Sequence, residues 1–427
     1  MTGINRKQPP RVHRVDRIEP LNPLTFNLSN GIPVYCIEGE SEGLVRTEVV
    51  FSIGHWAGKW PLTGAFTYLM LQEGTLHHSP AEIAEILNYH GATLTADVRA
   101  NHCFVTLLCM TKHLPALLAL LSEIIREPSF PVNELEVIRN QQLQTFLTQQ
   151  KKVRTIADNH FRQALFGNDH PNGYITTAAD YAAIQPEYLF EFHKNYCAVS
   201  NCTIIVSGDA GPEIAGLLNR HFSEVTWTST MAAAFSPPPP VPGRQQKQFI
   251  RKKDAVQNAI FTGRLLFNRH HPDYIPMSVL NTVLGGYFGS RLMKNLREDK
   301  GYTYGASSQL RDLSNTGYLV ISTETGSQYT SAALKEIYSE IHTLRNKRID
   351  SNELDNVVSY LSGNMLELFD GPFASADTCR MLMAAKLPFN YYSRYLQAIH
   401  TITPETLIEM ARRYLNPEDF YEVVAGT

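Results

Sequence analysis

Residues 186–208 of this chain are echoed at 404–426, and that echo is the strongest constraint on how it can fold. Pro186-Glu187 with Leu189 recurs as Pro404-Glu405 with Leu407, Tyr196 as Tyr414 and Gly208 as Gly426, each 218 positions on. Asn133-Glu134-Leu135 recurs as Asn352-Glu353-Leu354, one residue further. Agreements in one order, within one residue of one shift, are hard to produce by accident, so the chain is expected to be two copies of one folding unit. Between the copies lies Ser236-Pro237-Pro238-Pro239-Pro240-Val241-Pro242-Gly243. Proline neither donates to a sheet ladder nor continues a helix, which makes this run an extended spacer. Four consecutive prolines stiffen it, so any opening motion is expected to pivot at its ends. The expected division is an N-terminal domain 1–235, a linker 236–243 and a C-terminal domain 244–427. A chain of 427 residues is in any case too long for a single core.

Each copy mixes the two periodicities. Thr47 to Ile53, Cys103 to Leu108, Thr203 to Ser207 and Gly317 to Thr323 read as strands. Leu114 to Arg126, Glu134 to Gln149 and Ser331 to Arg345 read as helices. Without regular β-α-β alternation, the fold class is α+β: two homologous domains, each a mostly antiparallel sheet with helices packed on one face. The 43 % apolar and 19 % charged fractions are ordinary for a globular protein, and a net charge of −3 points to neither nucleic acid nor membrane. No apolar run is long enough to span a bilayer, and Met1 to Arg17 is polar and basic, unlike a secretory signal. The six cysteines form no C-x-x-C pair and sit in apolar segments. They read as buried reduced thiols of a cytoplasmic protein.

The stretch Leu62-Thr-Gly-Ala-Phe-Thr-Tyr-Leu-Met-Leu-Gln-Glu-Gly-Thr75 carries apolar residues at helical spacing and a Glu73-Gly74-Thr75 stop. It resembles the zinc helix of the pitrilysin/insulinase family of metallopeptidases, whose inverted H-x-x-E-H motif ends in a Gly-Thr pair. In such a motif two histidines on one helix face hold the metal and a glutamate activates water. Counted back from Gly74-Thr75, those places fall on Ala65, Tyr68 and Leu69; counted forward from Gly64, on Thr67, Met70 and Leu71. Neither register offers a zinc ligand. The family's third ligand is a glutamate on a later helix, but no glutamate occurs from Val137 to Pro186, where Gln141 and Gln142 stand instead. Amides are poor partners for a divalent cation. The resemblance therefore implies a chain that binds no metal of its own, in a two-copy layout that forms one half of a clamshell.

The second copy keeps a different block. Leu284-Gly285-Gly286-Tyr287-Phe288-Gly289-Ser290-Arg291 precedes Leu296-Arg297-Glu298-Asp299-Lys300-Gly301-Tyr302-Thr303-Tyr304. It is similar to the family's C-terminal signature, a Gly-rich turn followed by Leu-Arg-Glu-x-x-Gly-x-x-Tyr, in which the arginine and tyrosine reach the substrate peptide. By that resemblance Arg297 and Tyr304 are the substrate-binding residues. A guanidinium offers forked donors to a carbonyl or carboxylate, and a phenol can donate to an oxyanion. Gly301 would permit the turn that aims both. Some members of the family split the work between two chains, one holding zinc and the other keeping the Arg/Tyr pair. The resemblance implies the second type, with zinc on a partner subunit or, failing a separate partner, self-association.

Other chemistry is weaker. His77-His78 are adjacent and point about 100° apart on a helix, too divergent to share an ion; they and His270-His271 read as loop residues, His90 as a helix end and His170 as part of a turn. Gly285-Gly286 lacks the Lys-Ser/Thr of a P-loop, and no G-x-S-x-G elbow occurs. Two functions remain: a zinc-less, peptide-binding subunit of a heterodimeric zinc endopeptidase, or a non-proteolytic scaffold or peptide-binding protein of the same fold. Retention of Arg297 and Tyr304 favours the first.

Overall fold

The computed structural model describes residues 15–54, 60–99, 102–223, 227 and 237–427. Two sheets carry the fold. The first contains β1 (Leu24–Asn27), β2 (Pro33–Glu38), β3 (Leu44–Phe51), β4 (Thr93–Val98), β5 (Cys103–Met110) and β6 (Cys202–Gly208), in the order β1-β2-β6-β3-β5-β4. The second contains β7 (Lys247–Arg251), β8 (Gln257–Leu266), β9 (Thr303–Asp312), β10 (Gly317–Gly326) and β11 (Tyr421–Gly426), in the order β7-β11-β8-β10-β9. With β1 set aside, the two orders coincide strand for strand. In each, one pair is parallel, β2 with β6 and β7 with β11, and the others are antiparallel. Even the register repeats: Glu38 lies opposite Gly208 as Arg251 lies opposite Gly426.

The helices repeat as well. Pro186–Tyr196 and Pro404–Tyr414 are both 11 residues long and both begin on proline, whose missing N–H costs nothing in a first turn. In Leu114–Arg126 the buried Leu114, Leu117, Leu118, Leu121, Ile124 and Ile125 recur every three or four residues, which lays that helix on the first core. The second core is built in the same way from the helices Tyr274–Asn281, Thr330–Asn346 and Pro404–Tyr414.

One arrangement crosses between the units. The helix Val153–Phe166 lies on the second sheet, where Ala157, Phe161, Leu165 and Phe166 bury against Ala259, Phe261, Val320, Val423 and Ala425. Its repeat counterpart, Gly371–Ala384, is also 14 residues long and crosses the other way, bringing Ala376 to Val50, Phe104 and Ile205 of the first sheet. Along β3, Val45, Val49 and Phe51 face their own unit's helices while Val50 faces the visiting one. Each sheet thus has its own helices on one face and one borrowed helix on the other, which explains the unbroken run of buried residues in β3 and β6.

The spacer runs beside one of these exchanged helices. Val241 N donates to Phe166 O at 3.1 Å, Gly243 N to Ala164 O at 2.8 Å, and the Tyr421 hydroxyl to Gly243 O at 2.9 Å. A pivot at its C-terminal end would have to break these bonds. Residues 15–21 run along the second core, with Ile18 buried in it and Ser393 Oγ donating to Ile18 O at 2.7 Å.

Candidate functional site

The helix Thr63–Leu69 follows Leu62, which holds a left-handed conformation at φ 65°, and Phe66 N closes the first turn on Leu62 O at 2.9 Å. Phe66, Thr67 and Tyr68 turn inward. Tyr68 is fully buried, edge-on to Phe51 at 6.4 Å, with its hydroxyl 3.5 Å from Cys197 Sγ. Ala65 is half-buried and Leu69 is 37 % exposed. Of these three residues only Leu69 is exposed, and Tyr68 is a core residue. The helix tightens to a 3₁₀ turn over Met70–Gln72 and ends at Gly74, where φ is 122° and an added Cβ would come within 2.9 Å of Ser129 Oγ. Thr75 Oγ1 then receives His77 N at 3.1 Å and His78 N at 2.8 Å while donating to Glu123. His78 Nδ1 lies 2.8 Å from Glu123 Oε1 and His77 Nε2 3.0 Å from Glu127 Oε2, so both histidines are loop residues tied to one helix. Burial pushes the Glu123 carboxyl up, but the bonds from His78 and Thr75 prevail and hold it below the usual carboxylate range. Burial, then the neighbouring Glu134, raises Glu73.

Gln141 and Gln142 lie on the helix Val132–Gln149, one exposed and one half-buried. Among the described residues, no group of three His, Cys, Asp or Glu side chains is placed to hold a metal ion.

The Arg/Tyr block is built differently. After the helix Tyr274–Asn281 the chain widens into a π-turn over Thr282–Gly286. Gly285 has no room for a side chain, since a Cβ there would lie 2.6 Å from Ser308 N of β9. A second π-turn, Met293–Asp299, buries Met293 and Leu296 and leaves Arg297 exposed, its guanidinium carbon 4.8 Å from the centre of the Phe288 ring. Gly301 at φ 65° makes the expected turn, and Tyr302 N closes on Leu296 O at 2.9 Å. The register of β9 with β10 then slips between Thr323 and Thr325, so that Tyr304 and Gly305 together face the single residue Glu324. This bulge throws Tyr304 outward, 91 % exposed. Two contributors were not among the residues read as candidates, the Phe288 platform and the bulge. Gly305 directly after Tyr304 was the one sequence signal for the latter.

Comparison with known proteins decides what this architecture is. Residues 37–178 match the family description "Insulinase (Peptidase family M16)" and residues 183–361 match "Peptidase M16 inactive domain". The chain belongs to peptidase family M16. It is 24 % identical over 351 residues to the "Uncharacterized zinc protease YmxG" of Bacillus subtilis, covering 80 % of this chain and 83 % of that one. It is 22 % identical over 355 residues to the "Non-peptidase homolog YmxG" of Helicobacter pylori, covering 82 % and 81 %. A crystal structure of a peptidase M16 inactive domain from Pseudomonas fluorescens superposes with a TM-score of 0.85, at 23 % identity, over 95 % of this chain and 98 % of that one.

The helix Thr63–Leu69 carries a methyl group at Ala65, a core phenol at Tyr68 and an exposed leucine at Leu69. The opposite unit offers a cation on an aromatic platform and a solvent-facing phenol.

Proposed function

We propose that this M16 chain is the zinc-less, peptide-binding subunit of a two-chain metalloendopeptidase, with zinc held by a catalytic partner of the same family. The observation that carries this reading is the pairing of an unoccupiable motif helix with a prepared Arg297/Tyr304 site. Arg297 lies over Phe288, and Tyr304 is lifted into solvent by a bulge. Among the described residues, β4 and β9 also each end a sheet, the form to which an extended peptide adds as a strand. Zinc on the partner would supply the activated water. On this chain, Arg297 would hold a carbonyl or carboxylate of the peptide, and the Tyr304 hydroxyl would donate to the oxygen that gains charge.

The same reading divides the chain at 236–243 and assigns it to the cytoplasm. Six buried, unpaired cysteines suit a reducing compartment, and no described helix is long and apolar enough to cross a membrane.

The test is a metal and peptidase assay on the purified chain, alone and mixed with a zinc-motif homologue from the same genome. The expected result is no zinc and no cleavage alone, cleavage in the mixture, and loss of that cleavage in Arg297→Ala. Stoichiometric zinc on the chain alone overturns the zinc-less assignment. An inert mixture hands the fold to the scaffold reading.

A further inference from the structure

Internal duplication makes the first unit a template for the second, and at one edge the two differ. In the first sheet, β2 is covered by β1: Leu24 pairs with Cys36 and Phe26 with Val34, antiparallel. By the shared register with β6 and β11, Val34, Cys36 and Glu38 correspond to Lys247, Phe249 and Arg251 of β7. Val34 and Cys36 are buried, whereas Lys247 and Arg251 are exposed and Phe249 is 55 % exposed. The residues that would hold the place of β1 are the prolines of the spacer, and just beyond them Val241 and Gly243 bond to the helix Val153–Phe166 instead. Among the described residues, β7 is therefore an end strand with an open side.

The polarity of that side can be read from the ladder. Gln246 O receives Glu422 N and Lys252 N donates to Gly426 O, so even-numbered residues turn their backbone toward β11 and odd-numbered ones turn it outward. The Lys247 carbonyl is taken by the Gln245 side chain at 3.0 Å. Among the described residues no hydrogen bond reaches the backbone N–H or C=O of Phe249 or Arg251. The stretch Arg244 to Lys253 holds five basic residues and no acidic one, and among the described residues no ion pair engages them.

We infer that β7 is a docking edge for an acidic extended segment of a partner protein, which adds antiparallel to it as β1 adds to β2. Backbone bonds to Phe249 and Arg251 fix the strand. An apolar side chain opposite Phe249, where β1 places Leu24 in the first sheet, covers the ring. Carboxylates two residues to either side meet Lys247 and Arg251. A second copy of this chain is the wrong occupant, because antiparallel pairing of two β7 strands sets Lys247 against Arg251 and repels. Basic side chains protect an edge against its own kind, and the same charges favour an acidic strand. The inference stands apart from the Arg297/Tyr304 site, which lies across the sheet on β9 and the turn before it.

The test is fluorescence anisotropy of a labelled Asp-Glu-Thr-Leu-Thr-Glu-Asp peptide titrated with the full chain at low and high salt. Saturable binding that weakens with salt is expected, with at least about a tenfold loss in the double variant Lys247→Glu/Arg251→Glu. Phe249→Pro is the sharper variant. The Phe249 N–H points away from β11, so proline spares the internal ladder while removing the outward donor, and binding should vanish with the circular dichroism unchanged. No saturable binding, or binding that survives Phe249→Pro, overturns the inference. Loss of binding in Arg297→Ala with Lys247→Glu/Arg251→Glu intact would place the peptide at the other site and overturn it equally.

Discussion

Arg380 Nε lies 3.1 Å from Glu48 Oε1, joining a helix of the second unit to the central strand of the first. The same guanidinium stands 3.8 Å above the Phe104 ring and donates to Asp377 Oδ1 at 2.6 Å, while Arg46 flanks Glu48 at 3.5 Å. Arg162, 218 positions before Arg380, repeats the local contact by donating to Asn159 Oδ1 at 2.7 Å. The partner across the interface is not repeated, since Phe261 occupies in the second sheet the place of Glu48 in the first. One exchanged helix docks through charge and the other through packing.

Glu48→Ala removes the buried acceptor and leaves Arg380 and Arg46 facing a dry sheet. It should lower stability to urea by about 3 kcal/mol. The double variant Glu48→Leu/Arg380→Leu, which makes this interface resemble its apolar twin, should lose less than Glu48→Ala alone. A double variant as unstable as the sum of its parts would show that the two residues do not act as a pair.

His102 stacks on Phe104 at 5.5 Å, and burial, then Arg380, then Arg99 push its imidazole down to about 4. Its folded value is below its unfolded one, so the unfolded chain takes up the proton first. The stability this provides is complete above about 6.5 and is lost as pH falls toward 4. Burial raises Glu48, which works in the opposite sense, so the comparison must be made against His102→Phe. The wild-type chain should lose about 2 kcal/mol more than that variant between pH 7 and 4, allowing for partial exposure. Parallel pH profiles of the two proteins would remove His102 from the account.

Lys386 closes the helix Gly371–Ala384 in a left-handed conformation at φ 52°, donating to Met383 O at 2.9 Å while Leu387 N returns to Leu382 O at 2.8 Å. This is a Schellman motif with lysine in the glycine position. Lys386→Gly should raise the unfolding free energy by about 1 kcal/mol, read as a higher denaturation midpoint.

Rebuilding the zinc motif should fail at one position. Ala65→His and Leu69→His place imidazoles on the outward side of the helix and should fold. Tyr68→Glu puts a carboxylate beside Phe51 and Cys197 in the core and should cost more than about 3 kcal/mol. Thermal denaturation of the single variants separates the two classes.

Tyr304→Phe tests role against structure. The side chain is almost wholly exposed, so stability should move by less than about 0.5 kcal/mol. Cleavage by the mixed subunits should fall about 100-fold if the hydroxyl donates to the developing oxyanion. Unchanged cleavage would remove Tyr304 from the site.

Much of this protein is legible in its sequence. The helix Leu114–Arg126 has the bounds its periodicity predicts, and the matched Pro186 and Pro404 begin equivalent helices. Ala65 and Leu69 were legible as non-ligands because ligand chemistry belongs to the side chain itself. The inward turn of Tyr68 was not, since a seven-residue helix between two loops does not declare which face meets the sheet. The bulge at Tyr304 was hidden because strand register depends on β10, which lies beyond a turn.

The sequence by itself determined the duplication and the α+β texture, both carried by residue identity and local spacing. Only the tertiary structure decided which surfaces meet: the exchange of Val153–Phe166 for Gly371–Ala384, the charge at one exchange and the phenylalanine at the other, and the covered β2 against the open β7. The physical reason is that local periodicity records that a face must be buried, while what buries it comes from chain hundreds of residues away.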